Sequence, residues 1–328
     1  MLPPLTFRPL FKERIWGGRR LAEVFGKELP TDLLIGESWE ITDRPEGVSV
    51  VAEGPFAGRD LSWLMSHYGA ELLGRPVAPG ERFPWLCKIL DAREDLSLQV
   101  HPPAALARER GGDPKTEMWY VAEADPNARM YVGLRRGITR EQFEQQTRDG
   151  TVAKCFHYHY VQAGDVMFVP SGRVHAIGAG QVIFEIQQNS DTTYRVFDWN
   201  RKGLDGRPRD LHLDQAFAAI DFADWEPDLV RSDYEAISGG RRRPLVRDKI
   251  FDVDHHEGEP GLSRRLSTRG QPHLLAVTRG KLSIGSGGVE TLLPAGGFCL
   301  LPAVCGEVIL SSSEPAGWLQ VTPPNISS

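Results

Sequence analysis

The sequence predicts a β-dominated fold built from two β-barrel or sandwich units with a few helices. The first observation is a series of short apolar or alternating segments separated by Gly, Pro and Asp, which is typical of many strands and not of a β–α–β series. The second is that helical periodicity is confined to five short segments. The third is a polar, basic stretch around residues 228–250 that indicates a linker or a domain edge.

Each predicted element follows from its local pattern. The segments that predict strands are, in chain order, ESWEIT, GVSVVA, KTEMWYVAEA, ARMYVGL, GDVMFVP, GQVIFEIQQ, HLLAVTRGKLSIG and GEVILSS. The segments that predict helices are GGRRLAEVFG, DLSWLMSHYGAELLG, PAALARERGG, TREQFEQQTRDG and LHLDQAFAAIDF. The run Arg241–Arg243 in SGGRRRPLVRDK could form a phosphate-binding patch, but we interpret it as a solvated linker, because charge runs are usually solvated. The predicted domains are therefore residues 1–240, with the chemistry, and residues 241–328.

Bulk composition excludes some classes of function. At 328 residues the chain is long enough for one large domain or two ordinary ones, each with a core. Hydrophobic residues make up 41% and charged residues 25%, which is ordinary for a globular protein. A net charge of −6 and a pI near 5.9 give no electrostatic footprint for nucleic acid. We expect no nucleic-acid partner.

The chain shows no sign of membrane insertion or export. No window approaches the roughly 18 to 20 apolar residues of a membrane helix. The N-terminal residues lack an apolar core followed by a small-residue cleavage site, so we expect no signal peptide and a cytoplasmic protein. The four cysteines show no C-x-x-C spacing, which predicts reduced, mostly buried thiols. Neither a membrane nor an obligate protein partner is implied.

The stretch LSLQVHPP carries the first motif. Residues two apart in a strand point to the same face, so Gln99 and His101 share one face. Proline lacks a ladder donor, so Pro102 and Pro103 end the strand directly after His101. The sequence therefore predicts a polar pair at a strand end.

Two further motifs add ligand-type residues. In GDVMFVPSGRVHAIG, glycine and proline shape a tight turn, after which His175 begins a strand and faces a barrel interior. In DPKTEMWYV, Lys115 and Glu117 lie two apart and share a face. Together with Gln99 and His101, these strand-borne residues offer two imidazole nitrogens and two oxygens. Such a mixed set suits zinc or another first-row divalent metal with an open position for substrate.

These motifs carry a resemblance to a known family. The pattern G-x5-P-x-G-x2-H resembles the second motif of the cupin superfamily, a jelly-roll-like β-barrel. More narrowly, the chain resembles the short bacterial branch of type I phosphomannose isomerases, through motifs in a common order. They are ERIWGG, IGESWEI, FPWLCKILDAREDLSLQVHP, KTE, VPSGRVHAIG and QQNSDTTYRVFDWNR. The motifs that match span roughly residues 7–220. Residues 240–328 share no motif with the family, and only their pattern of short strand-like segments resembles a metal-free, cupin-like β domain.

The resemblance implies a zinc-dependent interconversion of mannose 6-phosphate and fructose 6-phosphate through an enediol. One Zn²⁺ per chain would be held by Gln99, His101, Glu117 and His175. Glu185 and Lys115 are both candidates for the base that moves the proton between C1 and C2, and the sequence does not choose between them.

The resemblance also implies residues that bind the sugar phosphate. Arg195 would stabilise enediolate charge or hold phosphate, because a guanidinium suits either oxyanion. Ser97 and Lys88 match positions at the phosphate end of the substrate. We expect Asp191 to cap or orient the loop that carries Arg195. The implied partner is thus a small phosphorylated sugar.

Two histidine pairs are interpreted as structural. His157 and His159 have H-x-H spacing, but we expect an ordinary strand with both rings on one face. His255 and His256 are placed in an acidic loop, where adjacent residues point apart. We expect no metal at either pair.

Two other functions compete with the isomerase. One is a cupin oxygenase or other iron redox enzyme, which the glutamine ligand and SDTTYR disfavour. The other is a non-catalytic sugar-phosphate sensor on the same barrel, which the presence of Arg195, Lys115 and Glu185 argues against. Metal analysis with oxygen uptake would identify the first, and binding without turnover the second.

Overall fold

The structure, a computed structural model, describes residues 2–325 and confirms the β-dominated prediction. The strands are β1 Phe7–Arg8, β2 Leu10–Gly18, β3 Ile35–Ile41, β4 Asp43–Arg44, β5 Gly47–Val48, β6 Val50–Val51, β7 Trp85–Ala92, β8 Leu98–Val100, β9 Glu117–Ala124, β10 Arg129–Leu134, β11 Phe156–Tyr160, β12 Val166–Val169, β13 His175–Ile177, β14 Gln181–Gln188, β15 Tyr194–Phe197, β16 Glu235–Ile237, β17 Gly240–Arg247, β18 Asp252–Gly258, β19 Leu262–Ser267, β20 His273–Arg279, β21 Lys281–Ser286, β22 Val289–Pro294, β23 Phe298–Leu301, β24 Glu307–Ser312 and β25 Ala316–Thr322.

Helices form at all five predicted segments. They are α1 Arg20–Phe25, α2 Leu61–Leu73, α3 Ala104–Arg110, α4 Arg140–Arg148 and α5 Leu213–Ala219, with short 3₁₀ turns at Val152–Cys155 and Ala303–Cys305. Two helices begin at side-chain caps, which satisfy otherwise unpaired amides. The Asp60 carboxylate accepts from the Trp63 N–H at the start of α2, and Thr139 and Gln142 form a capping box on α4. No helix in the described part of the chain is both long and apolar enough to cross a membrane.

The chain divides into two compact units that alternate along the sequence. Unit A comprises residues 11–39 and 85–230, and the described residues of unit B are 2–10, 40–84 and 231–325. The predicted division between residues 240 and 241 stays a prediction, because these units group the chain by its contacts and unit B takes residues from both sides of that boundary.

Unit A consists of two sheets with a shared core. One has the strand order β12-β9-β14-β7-β3-β2, and the other has the order β11-β10-β13-β8-β15. Apolar side chains from both sheets form one buried cluster, which includes Trp119, Met167, Ile183, Met130, Val132 and Ile177. The outer face of the five-stranded sheet packs against α4 and α5 through Phe143, Ala216 and Ala219. The sheets therefore lie face to face, as in a closed β-sandwich.

Unit B repeats the two-sheet plan. Its sheets have the orders β16-β17-β18-β25-β20-β23 and β19-β24-β21-β22, beside two small two-stranded sheets, β1-β6 and β4-β5. Its core is apolar at the centre, with Leu275, Val277 and Trp318 from the first sheet against Leu282 and Leu310 from the second. The predicted second, smaller β-barrel or sandwich is thereby observed.

The interpretation of SGGRRRPLVRDK as a linker is wrong. Residues Gly240–Arg247 form β17, which pairs with β16 and β18. Arg241 lies opposite Glu257 and contacts its carboxylate at 2.6 Å, and Arg242 lies opposite Glu235 at 2.7 Å. Opposite charges on facing strand positions stabilise such a pairing, so this charge run belongs to a sheet.

The loop predicted for the second histidine pair is also wrong. His255 and His256 lie in β18 and are both buried. They point to opposite faces, as expected for adjacent strand residues. His255 Nδ1 lies 2.9 Å from the Tyr234 hydroxyl, and the His256 ring stacks on Trp318. The partners of both histidines are distant in the sequence, so the composition around residues 255 and 256 does not predict these contacts.

Candidate active site

Strand ends in unit A place the predicted ligand residues together. β8 ends at Val100 before the two prolines, so His101 leaves the sheet at its edge. Glu117 begins β9 and His175 begins β13. The turn before His175 depends on Gly172, whose φ of 93° suits glycine and whose N–H donates to the His101 carbonyl at 2.9 Å. This hydrogen bond joins the two histidine segments.

His101, Glu117 and His175 form a buried cluster whose ligand atoms lie within 4.8 Å of one another. Glu117 Oε2 is 3.6 Å from His101 Nε2, and Glu117 Oε1 is 3.5 Å from His175 Nε2. Tetrahedral zinc, with bonds of about 2.0–2.2 Å, separates neighbouring ligand atoms by about 3.3–3.6 Å. Each imidazole lies at about that distance from one oxygen of Glu117, and the three ligand atoms as a set lie within 4.8 Å of one another.

Both imidazoles are held in the tautomer that a metal needs. His101 Nδ1 lies 2.9 Å from the Thr192 carbonyl oxygen, and His175 Nδ1 lies 2.9 Å from that of Arg173. A carbonyl only accepts, so each Nδ1–H donates and each Nε2 keeps its lone pair. His101 Nε2 and Glu117 Oε1 have no hydrogen-bond partner among residues 2–325, and Glu117 Oε2 contacts the Lys115 ammonium at 2.9 Å. Buried acceptors facing one another in this way suit a cation.

The charge states of the cluster agree with ligation. Burial lowers the pKa of His101, and the nearby Lys115 lowers it further. Burial also lowers the pKa of His175 to about 3, with a smaller effect from His101. Burial alone would raise the pKa of Glu117, but Lys115 and the histidines outweigh it and hold that pKa well below its usual range. All three side chains are therefore deprotonated at neutral pH, as metal ligands must be.

The fourth predicted ligand, Gln99, lies beside the cluster. It is directly opposite His175 in the pairing of β8 with β13, so both side chains share a face. Its Nε2 donates to His175 Nε2 at 3.3 Å, and its Oε1 accepts from the Ser97 hydroxyl at 3.1 Å. A half-turn of the amide exchanges these two atoms, so the same side chain is able to present its oxygen to the cluster.

Lys115 connects the cluster to the second predicted group. Its Nζ lies 2.9 Å from Glu117 Oε2 and 4.0 Å from Glu185 Oε1. Glu185 is buried on β14, where Lys88 and Trp119 are its direct neighbours on the flanking strands. The Trp119 Nε1–H donates to Glu185 Oε1 at 3.2 Å. Burial raises the pKa of Glu185 to about 7, and the nearby lysines partly oppose this.

Lys88 is enclosed by three carboxylates. Its Nζ lies 3.5 Å from Glu185 Oε2, 3.5 Å from Asp191 Oδ1 and 3.7 Å from Glu37 Oε2. Burial opposes its charge, but Glu37 and the other carboxylates raise its pKa overall. Lys88 therefore stays protonated beside the Glu185 carboxyl.

Sequence reasoning missed Glu37. For Asp191 it predicted only a role in the loop that carries Arg195, and not the contact with Lys88. Glu37 accepts from Arg14 Nε at 2.8 Å and from the Trp39 indole N–H, which, with Lys88, hold its pKa at about 2 despite burial. The alternation in IGESWEI places Glu37 and Trp39 on one face and was the available signal. The Asp191 carboxylate contacts Lys88 in addition to lying in the loop before Arg195.

A cavity of about 580 Å³ in unit A lies beside the buried cluster, and none of the three cluster residues lines it. Its lining includes the predicted residues Lys88, Ser97, Gln99, Lys115, Glu185 and Arg195. The Arg195 guanidinium donates to the Asp210 carbonyl at 2.8 Å, while its buried Nε has no hydrogen-bond partner in the described residues. Such a lining of donors around a buried carboxyl is able to bind an anionic ligand and move a proton.

The H-x-H pair forms no part of this site. His157 and His159 lie in β11 with their Nε2 atoms 3.2 Å apart, so they share a face as predicted. His159 Nε2 also contacts the Pro227 carbonyl at 2.7 Å. A carbonyl accepts a hydrogen bond, so that nitrogen is protonated and is unavailable as a ligand.

Known proteins resemble this chain over nearly its whole length. A family model for the type I phosphomannose isomerase catalytic domain matches residues 5–128. The chain is 38% identical over 308 residues to mannose-6-phosphate isomerase ManA of Bacillus subtilis strain 168, an alignment that covers 93% of this chain and 94% of that protein. It is 36% identical over 303 residues to the mannose-6-phosphate isomerase of Streptococcus mutans, covering 92% and 93% of the two chains.

Solved structures of mannose 6-phosphate isomerases share the fold of this chain. The crystal structure of the mannose 6-phosphate isomerase from Bacillus subtilis superimposes with a TM-score of 0.89 at 30% identity, over 98% of this chain and 99% of that one. The apo form of the mannose 6-phosphate isomerase from Salmonella typhimurium gives a TM-score of 0.76 at 14% identity, over 99% and 100%, which supports the fold alone. The predicted cupin fold is confirmed. By sequence identity over nearly the full length of curated relatives, the chain belongs to the type I phosphomannose isomerase family.

Proposed function

We propose that this protein interconverts mannose 6-phosphate and fructose 6-phosphate through an enediol, with one zinc ion per chain. The observation that carries the proposal is Lys115, which lies between the His101–Glu117–His175 cluster and the buried Glu185. A metal-assisted aldose–ketose isomerase has these two elements side by side, a cation at the sugar oxygens and a base that acts on carbons C1 and C2. The curated relatives that carry this activity in their names support it.

The donor set supports zinc. Two neutral imidazoles and a carboxylate are typical of catalytic zinc sites, which keep a further position open. Gln99, as a neutral oxygen donor opposite His175, would complete the protein ligands. The bound ion would stabilise negative charge that develops on the sugar oxygens at C1 and C2. We place no metal in residues 241–328.

The proton moves between two carbons on one face of the substrate. In the direction of fructose 6-phosphate, a base removes the C2 proton of the open-chain aldose, and the same proton or one from solvent is returned to C1. A second proton passes from the C2 hydroxyl to the C1 oxygen, which balances the enediol step. Glu185 is the candidate that the charge environment favours, because a carboxyl with a pKa near 7 is able to accept and return a proton at neutral pH. Lys115 remains the other candidate, and as an ammonium it would instead stabilise the developing enediolate.

Three further residues would bind the substrate. Arg195 lines the cavity and would hold the phosphate or the enediolate through its guanidinium. Ser97 and Lys88 line the same cavity and are our candidates for the phosphate end. A small phosphorylated sugar would be the only partner that this chemistry needs, in the cytoplasm as the sequence predicts.

A coupled assay tests the proposal directly. We expect the zinc-loaded protein to form mannose 6-phosphate from fructose 6-phosphate and to handle unphosphorylated fructose far less well, because the phosphate supplies remote binding energy. If a panel of hexose and pentose phosphates stays unchanged with zinc present, the enzyme proposal fails. Binding without turnover would then indicate the sensor, and bound iron with oxygen uptake would indicate an oxygenase.

A further inference from the structure

The interior of unit B contains an arginine that no carboxylate balances. Arg264 lies on β19 directly opposite Leu310, a core residue of β24. Facing residues of an antiparallel pair point to the same side, so the Arg264 side chain is directed between the two sheets. Within the described chain Arg264 forms no salt bridge, whereas its neighbour Arg265 points outward and pairs with Glu307 at 3.3 Å.

Residues from the opposite sheet meet Arg264. Arg242, His256 and Trp318 lie directly opposite one another on β17, β18 and β25, so their side chains form one row on a single face. Trp318 belongs to the core, which identifies this face as the inner one. The Arg264 guanidinium lies 5.3 Å from the Trp318 ring and 3.4 Å from His256 Nδ1.

This row has unused hydrogen-bond donors. The Arg264 guanidinium is able only to donate, so His256 Nδ1 accepts and His256 Nε2 carries the ring proton. His256 is 5% exposed, and its Nε2 has no hydrogen-bond partner in residues 2–325. Arg242 Nε and Trp318 Nε1 likewise lack partners in this part of the chain. Three neighbouring residues therefore each bury a donor without an acceptor, an arrangement that costs free energy unless an acceptor is supplied.

The local field is positive around Arg264, whereas the charge of Arg242 is balanced by Glu235 at 2.7 Å on the facing strand. Burial lowers the pKa of His256 to about 2, and the next causes are the charges of Arg264, His255 and Arg242. Burial likewise lowers the pKa of Arg264, with repulsion from Arg242 as the other cause. Such a field repels metal ions and attracts anions.

The inner face opens into a cavity of about 1230 Å³ that is lined by Arg242, Gln320 and Leu266, among others. Leu266 lies two residues from Arg264 on β19, and Gln320 lies two residues from Trp318 on β25, so the cavity begins beside the row. It touches the row through Arg242, whereas His256, Arg264 and Trp318 lie behind its lining. Its acidic groups are partly neutralised, since Asp254 pairs with Arg247 and Glu307 pairs with Arg265.

We propose that the interior of unit B binds a small phosphate-bearing molecule through Arg242, His256 and Arg264. Two guanidinium groups and a neutral imidazole N–H match the several acceptor oxygens of a phosphate, and arginine recognises this geometry well. The cavity has room for an organic phosphate ester as well as for the free anion. The proposal does not depend on the isomerase activity, because every residue that carries it lies in unit B.

The test follows the imidazole signal of His256 by NMR in the full chain, assigned with His256→Gln. We expect inorganic phosphate and glucose 6-phosphate to shift this signal and glucose to leave it unchanged. A shift from inorganic phosphate alone would identify the free anion as ligand, and a stronger response to glucose 6-phosphate would identify an ester. No shift with either phosphate, or an equal shift with glucose, would overturn the proposal.

Matched variants connect the shift to Arg264. Arg264→Met should raise the apparent Kd for phosphate by at least about tenfold, because it removes charge-assisted hydrogen bonds. Arg241→Met should bind as the wild type does and controls for charge alone, because Arg241 pairs with Glu257 and does not line this cavity. If Arg264→Met fails to fold, Arg242→Gln at the open side of the row provides the same comparison. Wild-type affinity in the folded variant would contradict the site.

Discussion

His175 Nε2 lies 3.5 Å from Glu117 Oε1, while the Nδ1–H of the same ring donates to the Arg173 carbonyl. The backbone thus fixes the imidazole with its lone pair toward the carboxylate. His101 meets the other oxygen of Glu117 in the same way. Two lone pairs and a carboxylate therefore converge, an arrangement that is able to hold a metal ion.

Removing both imidazoles should abolish metal binding. We expect the wild type to retain one equivalent of zinc after dialysis and the double variant His101→Ala, His175→Ala to retain none, because one carboxylate alone holds zinc weakly. Elemental analysis of both proteins checks this. His157→Ala with His159→Ala is the matched control and should retain zinc. A stoichiometric metal in the first double variant would refute the assignment.

Glu185→Gln should separate the two candidate bases. It keeps size and most hydrogen bonding but removes the basic carboxylate, so turnover should fall roughly 100-fold to 10,000-fold with zinc content unchanged. Lys115→Met should weaken substrate binding as well as turnover if the ammonium orients the sugar. Steady-state kinetics and exchange of substrate hydrogen with solvent deuterium provide the measurements. Near-normal turnover in Glu185→Gln with lost exchange in Lys115→Met would move the base role to Lys115.

Glu37 should contribute stability that acid removes. Its pKa is lowered from 4.5 to about 2 in the folded protein, so the contribution is complete above pH 4.5 and disappears as pH falls toward 2. Glu37→Gln lacks this contribution. The difference between its free energy of unfolding and that of the wild type should therefore shrink by about 3 kcal/mol across that range.

Denaturant unfolding with a chelator present measures this difference. Glu109→Gln, at an exposed position on α3, is the control and should follow the wild type at every pH. A wild-type minus Glu37→Gln difference that stays constant from pH 5 to pH 2 would contradict the role of the Arg14 and Lys88 contacts.

Arg195→Gln should impair catalysis on phosphorylated sugars. Loss of the cavity-facing guanidinium should lower kcat/KM for fructose 6-phosphate by roughly 100-fold, as loss of one oxyanion donor does. Arg201, which pairs with Asp198 at 3.0 Å and does not line the cavity, provides Arg201→Gln as control. If the two variants had equal kinetics, the assignment of Arg195 to the substrate site would be contradicted.

Strand alternation predicted much of the candidate site. The spacing of Gln99 with His101 and of Lys115 with Glu117 placed each pair on a face, and proline punctuation located the strand end. These are local effects, so a single sequence contains them. The five helices were predicted for the same reason, since their periodicity and terminal residues lie within each segment.

The missed features depend on contacts between distant strands. Glu37 joins the site because β3 and β7 are neighbours in one sheet, and the carboxylates around Lys88 come from separate segments. The run Arg241–Arg243 resembled a linker because its partners, such as Glu257, lie on another strand. Pairing of this kind is set by the tertiary fold, and composition does not reveal it.

The most direct test is a zinc titration of the metal-free protein with mannose 6-phosphate formation as the readout. If the His101–Glu117–His175 cluster holds the one catalytic ion, activity should rise linearly up to one equivalent of zinc per chain and then stay constant. Full activity in the metal-free protein, or a rise that continues well beyond one equivalent, would contradict the account.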